Sequence, residues 1–93
     1  MYWKLQHHKT GTASVDSQVS SLIVGYMSGE IQARDSSEWI HIFERSLKEI
    51  KPTNSFRPEY SFKATARNET SLEVWKMKTN GDFNYKMFTL TRK

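Results

Sequence analysis

From Asp35 to Pro52 the chain reads DSSEWIHIFERSLKEIKP, and its large apolar residues recur at helical spacing. At about 100° per residue, Trp39, Ile40, Ile42, Phe43, Leu47 and Ile50 fall on one side. Glu38, His41, Glu44, Arg45, Lys48, Glu49 and Lys51 fall on the other, and only Ser46 breaks the division. Asp35 with Glu38 three residues later forms a capping box, in which each side chain satisfies a backbone N–H of the first turn. Pro52 sets the far end, because the residue before a proline is pushed out of the α region. The apolar stripe needs a cover, and a sheet is the natural one.

Period-two patterns supply that sheet. Tyr2 to Lys9 alternates Trp3, Leu5 and His7 against Tyr2, Lys4, Gln6 and His8, which predicts a first strand. Tyr60, Phe62, Ala64 and Ala66 alternate with Ser61, Lys63, Thr65 and Arg67 in the same way. Ser71 to Thr79 and Phe83 to Thr91 flank Asn80-Gly81-Asp82, and Asn-Gly between alternating runs is the strongest short-range hairpin signal. Between the first strand and the capped helix, Val15, Val19, Leu22, Ile23 and Tyr26 recur at helical spacing behind caps at Ser14 or Asp16, with Gly29 as the stop. Gly25 and the many serines weigh against that helix, and the alternative pairs LIVGYM with EIQAR as strands across Ser28-Gly29. The helix is preferred. KPTNSFRPE, bracketed by Pro52 and Pro58, is an ordered connection too short to be an interdomain linker. The predicted order is β-α-α-β-β-β: a small α+β fold, residues 1–93 as a single domain, with a mostly antiparallel sheet and the helices packed on one face. Strand order does not follow from the pattern.

The hairpin register matters for what the sheet exposes. A three-residue loop with Gly81 left-handed sets Trp75 opposite Tyr85, Met77 opposite Phe83, Lys78 opposite Asp82 and Leu72 opposite Phe88, whereas a two-residue loop sets Trp75 opposite Lys86. In either register both faces of the hairpin carry large apolar side chains, more than one helical layer covers. An open face with Trp75, Phe83 and Tyr85 beside Lys63, Arg67, Lys76, Lys78 and Lys86 combines stacking surfaces with cations, as a single-strand nucleic-acid platform requires. The same residues suit a protein interface, and the plainer alternative makes them core residues with lysine stems alongside.

Composition narrows the classes. An apolar fraction of 37% is low, but 13% aromatic residues and three tryptophans belong to a chain that folds, because disordered segments are depleted in them. The absence of cysteine removes disulfides and thiolate zinc sites and suits a reducing compartment. The longest apolar run, residues 22–27, is too short to span a bilayer, and MYWKLQHHK lacks the apolar core of a signal peptide, so a cytoplasmic location with no membrane partner is expected. Asn68-Glu69-Thr70 matches the glycosylation pattern and is read as a polar turn. A net charge of +4 excludes the acidic mimics of DNA and favours anionic partners, although surplus lysines also serve solubility alone.

Catalytic patterns are lacking. His7 and His8 are neighbours on a strand and point to opposite faces, so they do not share a metal. His41 lies on the polar side of the main helix beside Glu44 and Arg45, as a solvated residue does. The chain has no phosphate-binding loop, nucleophile elbow, HExxH or dinucleotide fingerprint, and no cofactor, metal or catalytic residue is expected. The preferred expectation is a non-enzymatic intracellular binding or regulatory protein, engaging nucleic acid or a nucleic-acid-handling protein complex, with a homo-oligomer left open. Small size and high polarity are also traits of phage or plasmid accessory proteins that inhibit a host machine, a likeness of composition. In element order and charge the chain also resembles the ribosome-dependent messenger-RNA interferases of toxin–antitoxin pairs. That resemblance implies a small basic ribonuclease with Lys63, Arg67, Lys76 and Lys86 as its candidate residues, in a chain with no histidine after His41.

Overall fold

The computed structural model describes residues 3–12, 14–24, 33–51 and 58–92. Tyr2, Gly25, Tyr26, Gly29 and residues 52–57 of the KPTNSFRPE connection, on which the sequence pattern also leans, lie outside them, as do half of LIVGYM and most of EIQAR. In chain order the elements are β1 (Trp3–His7), α1 (Ser14–Leu22), α2 (Ser36–Glu49), a one-turn α3 (Pro58–Ser61), β2 (Phe62–Asn68), β3 (Ser71–Met77) and β4 (Phe83–Arg92). The strands form one antiparallel sheet in the order β1-β4-β3-β2, so the first strand is an edge that pairs with the last, and β2 is the other edge. The expected α+β class and β-α-α-β-β-β order hold, with α3 as a small addition. Among the described residues no helix is long and apolar enough to cross a membrane.

The capped helix starts where its sequence requires. Asp35 is extended, and its carboxylate accepts from the Glu38 N–H at 2.9 Å, which satisfies one of the first-turn donors. Trp39, Phe43 and Leu47 are buried, and Ile40, Ile42 and Ile50 pack beside them. Ser46 turns its hydroxyl to the Ile42 carbonyl at 2.9 Å, so the one polar residue on the apolar side is satisfied within the helix. Ser36 anchors the helix start to the β2–β3 turn: its N–H donates to the Glu69 carbonyl at 2.9 Å and its hydroxyl to the Asn68 carbonyl. That turn is the Asn68-Glu69-Thr70 stretch, closed by the Asn68 side chain accepting from the Thr70 N–H.

Residues 14–22 are helical, with Val15, Val19 and Ile23 buried. Asp16 is not a cap. It lies inside the first turn and is buried, three residues before Val19 and seven before Ile23, on the inward stripe. Together the helices cover one face of the sheet, closing a core with Trp3, Phe62, Leu72, Val74, Met87, Phe88 and Leu90. Tyr60 departs from the strand pattern: it sits in α3, where Pro58, with its fixed φ, occupies the first helical position, and β2 begins at Phe62.

The hairpin loop has the expected three-residue form. Gly81 is left-handed at φ 91°, the Lys78 N–H donates to the Asp82 carbonyl at 2.7 Å, and the Gly81 N–H donates back to Lys78 at 3.0 Å. Beyond the loop the register changes twice. Met77 pairs with Phe83, but Lys76 pairs with Tyr85 and Trp75 with Lys86, and then Val74 pairs with Phe88 and Leu72 with Leu90. Asn84 and Met87 are therefore extra residues on β4, and each one-residue slip moves the side chains that follow to the other face. The expected pairs of Trp75 with Tyr85 and Leu72 with Phe88 are overturned for this reason. Met87 is buried, and its carbonyl accepts from the N–H of His8, the residue after β1, at 2.7 Å, so the second slip is held from the end of β1.

Candidate functional site

Alternation along β3 and the first register slip on β4 divide the predicted site residues between opposite faces. Trp75 lies between Lys63 on β2 and Lys86 on β4, its register partners, on the face that carries no helix among the described residues. The Phe83 ring meets Trp75 edge-on, with centroids 5.1 Å apart and planes at 62°, and Phe83 is 48% exposed. Lys86 Nζ stands 5.8 Å from the centre of the Trp75 ring and 2.9 Å from a carboxylate oxygen of Glu73, so one ammonium serves both a ring and an acid. Arg67 is exposed at the irregularity where β2 leaves its register, and Lys78 is exposed in the hairpin loop. Lys63, Trp75, Phe83 and Lys86 are thus brought together, with Arg67 and Lys78 toward the two ends of the strands.

Lys76 and Tyr85 are not part of that surface. They face α1, where the Lys76 ammonium lies 2.6 Å from one oxygen of Asp16 and the Tyr85 hydroxyl donates to the other at 2.9 Å. Asp16 is only 2% exposed, and the Lys76 ammonium also stands 4.7 Å from the centre of the Phe62 ring. Burial, the hydrogen bond to Asp16 and the Asp16 charge push the Tyr85 phenol up to about 12, against a smaller opposing effect from the Gly11 backbone. A phenol so far from neutrality holds its proton at ordinary pH and acts as a fixed donor, not as a base. Gly11 completes the cluster because no side chain fits there: a Cβ would overlap the Asp16 carboxylate and the Tyr85 hydroxyl.

Comparison with known proteins brings no match: no family model, no curated protein and no solved structure is similar to this chain. The site is therefore read from its own chemistry.

Three residues outside the predicted site now enter. Lys4, paired with Thr91, lies on the open face, and His8 reaches the Thr89 hydroxyl there at 2.8 Å. Both arrive because β1 pairs with the last strand, a contact across the whole chain that no local pattern encodes. Asp16 is the third, and it had a signal: a carboxylate on the apolar stripe of a helix needs a buried partner. Among the described residues no group of three or more His, Asp or Glu side chains gathers to hold a metal. The open face can stack planar groups and attract anions, while the cluster under α1 can lock the helix onto the hairpin.

Proposed function

We propose that this protein is a non-enzymatic binding protein whose open sheet face engages single-stranded nucleic acid. The observation that carries the reading is the Trp75–Phe83 pair, half-exposed on a sheet face that carries no helix among the described residues and flanked in register by Lys63 and Lys86. Bases stack on such rings whatever their sequence, and the cations meet phosphates. Lys4 and Arg67 extend the positive charge toward the other strands, against the carboxylate of Glu73. In this reading the protein works in the cytoplasm, in keeping with a chain free of cysteine. A ribonuclease reading asks Lys63, Arg67, Lys76 and Lys86 to act on one surface, and the engagement of Lys76 with Asp16 under α1 counts against it.

The test is fluorescence anisotropy of labelled single strands over a salt series. Trp75→Ala is expected to lose about 1–3 kcal/mol of affinity while the fold survives, because the ring lies on the uncovered face. Contacts from Lys63, Arg67 and Lys86 give a slope of log K on log salt near −2 at about −0.7 per contact, and each Lys→Ala flattens it by about 0.7. Weak binding that ignores Trp75, together with a stoichiometric protein complex that Trp75→Ala abolishes, would replace this reading with a protein interface.

A further inference from the structure

Where β2 forms an edge of the sheet, the second half of α2 and the α3 turn leave a cleft of about 400 Å³ beside it. That size lies within the range of about 300–1,000 Å³ that small-ligand sites occupy. The floor is apolar, made by Phe43 and Leu47 from α2, Phe62 and Ala64 from β2, and Met77 from the end of β3. Lys48, Lys63 and Glu44 supply the charge, two cations against one carboxylate, and all three are exposed. Tyr60 lines the same cleft and is 72% exposed. An aromatic ring held this far out of the core, above an apolar floor and beside two cations, is a stacking surface for a planar anion.

The cleft also adjoins the open face. Lys63 stands opposite Trp75 in the register and Met77 opposite Phe83, and both residues line the cleft as well. We infer that the cleft binds one nucleotide of the strand, its base against Tyr60 over the apolar floor and its phosphate between Lys48 and Lys63. The strand on the open face turns into the cleft at the β2 edge, so this assignment rests on reading that face as a single-strand platform. A free nucleotide has the same chemistry and serves as the probe.

The experiment is a titration of the intact, isotope-labelled chain with adenosine monophosphate, followed by amide chemical shifts, with inorganic phosphate in parallel. Saturable shifts are expected at Leu47, Lys48, Tyr60 and Lys63. Tyr60→Ala and Lys48→Ala, both at exposed positions, are each expected to weaken the nucleotide about tenfold. Trp75→Ala is expected to change that affinity by no more than about twofold. Shifts confined to Trp75 and Phe83, an unchanged affinity in Tyr60→Ala, or equal shifts from inorganic phosphate would each overturn the assignment. If the nucleotide enters the cleft but oligonucleotide binding ignores Trp75, the cleft stands as a mononucleotide site and the platform reading is the one that fails.

Discussion

Replacing Asp16 by alanine tests whether the buried ion pair under α1 holds the helix to the sheet. The wild-type carboxylate, its side chain 3% exposed, takes an ammonium at 2.6 Å and a phenol at 2.9 Å. Removing one partner of a buried pair costs about 3–5 kcal/mol, because the remaining charge stays desolvated without its counterion. The low end applies, since the Lys76 side chain is 12% exposed and keeps its contact with the Phe62 ring. About 3 kcal/mol is a large share of the roughly 5–14 kcal/mol expected for a chain of 93 residues. It corresponds to a fall in Tm of about 12–24 °C for a domain of this size. Urea unfolding followed by tryptophan fluorescence measures it, for Asp16→Ala, Lys76→Met and the double variant. Because an apolar replacement of a whole buried pair is often nearly neutral, the double variant is expected to be more stable than the sum of the single losses predicts, by more than about 1.5 kcal/mol. A cost under about 1 kcal/mol for Asp16→Ala, or strict additivity in the cycle, would refute the argument and make the pair a solvated contact.

Tyrosine ionisation gives a second check on the same cluster. With a folded pKa of about 12 against an ordinary 10, the unfolded chain releases the Tyr85 proton first, so this group's contribution to stability is complete below pH 10 and is lost as pH rises through about 12. Ultraviolet titration at high pH is expected to show a late tyrosine that Tyr85→Phe removes; a titration complete near pH 10 would contradict the burial and bonding described. Gly11→Ala is expected to destabilise by about 1–3 kcal/mol, since the added methyl forces Asp16 from Tyr85, and unchanged thermal melting would mean that the loop shifts freely. Phe43→Ala is expected to cost about 3–5 kcal/mol through loss of a fully buried ring, measured by urea titration, and a loss under about 0.5 kcal/mol would place that helix face in solvent.

The amino-acid sequence by itself determined what local physics encodes. Helix α2 was legible from end to end of its apolar stripe, because a 3.6-residue period and the Asp35 cap act within a few turns. The hairpin was legible because only a left-handed residue closes its loop, and Gly81 supplies one. Tertiary structure alone decided which side chains share a face. The extra residue Asn84 on β4 sent Tyr85 under α1, to the side where alternation on β3 already places Lys76, and left Lys86 with Trp75, while the second, Met87, is held by the N–H groups of His8 and Lys9 some eighty positions earlier. A period-two pattern does not reveal such slips, since Tyr85, Lys86, Met87 and Phe88 each tolerate either face until a neighbouring strand and helix fill one side. Asp16 shows the same limit from the other direction: its place on the apolar stripe could be read from spacing, but its partners come from strands sixty and more residues away, and only packing brings a carboxylate, an ammonium and a phenol together out of water.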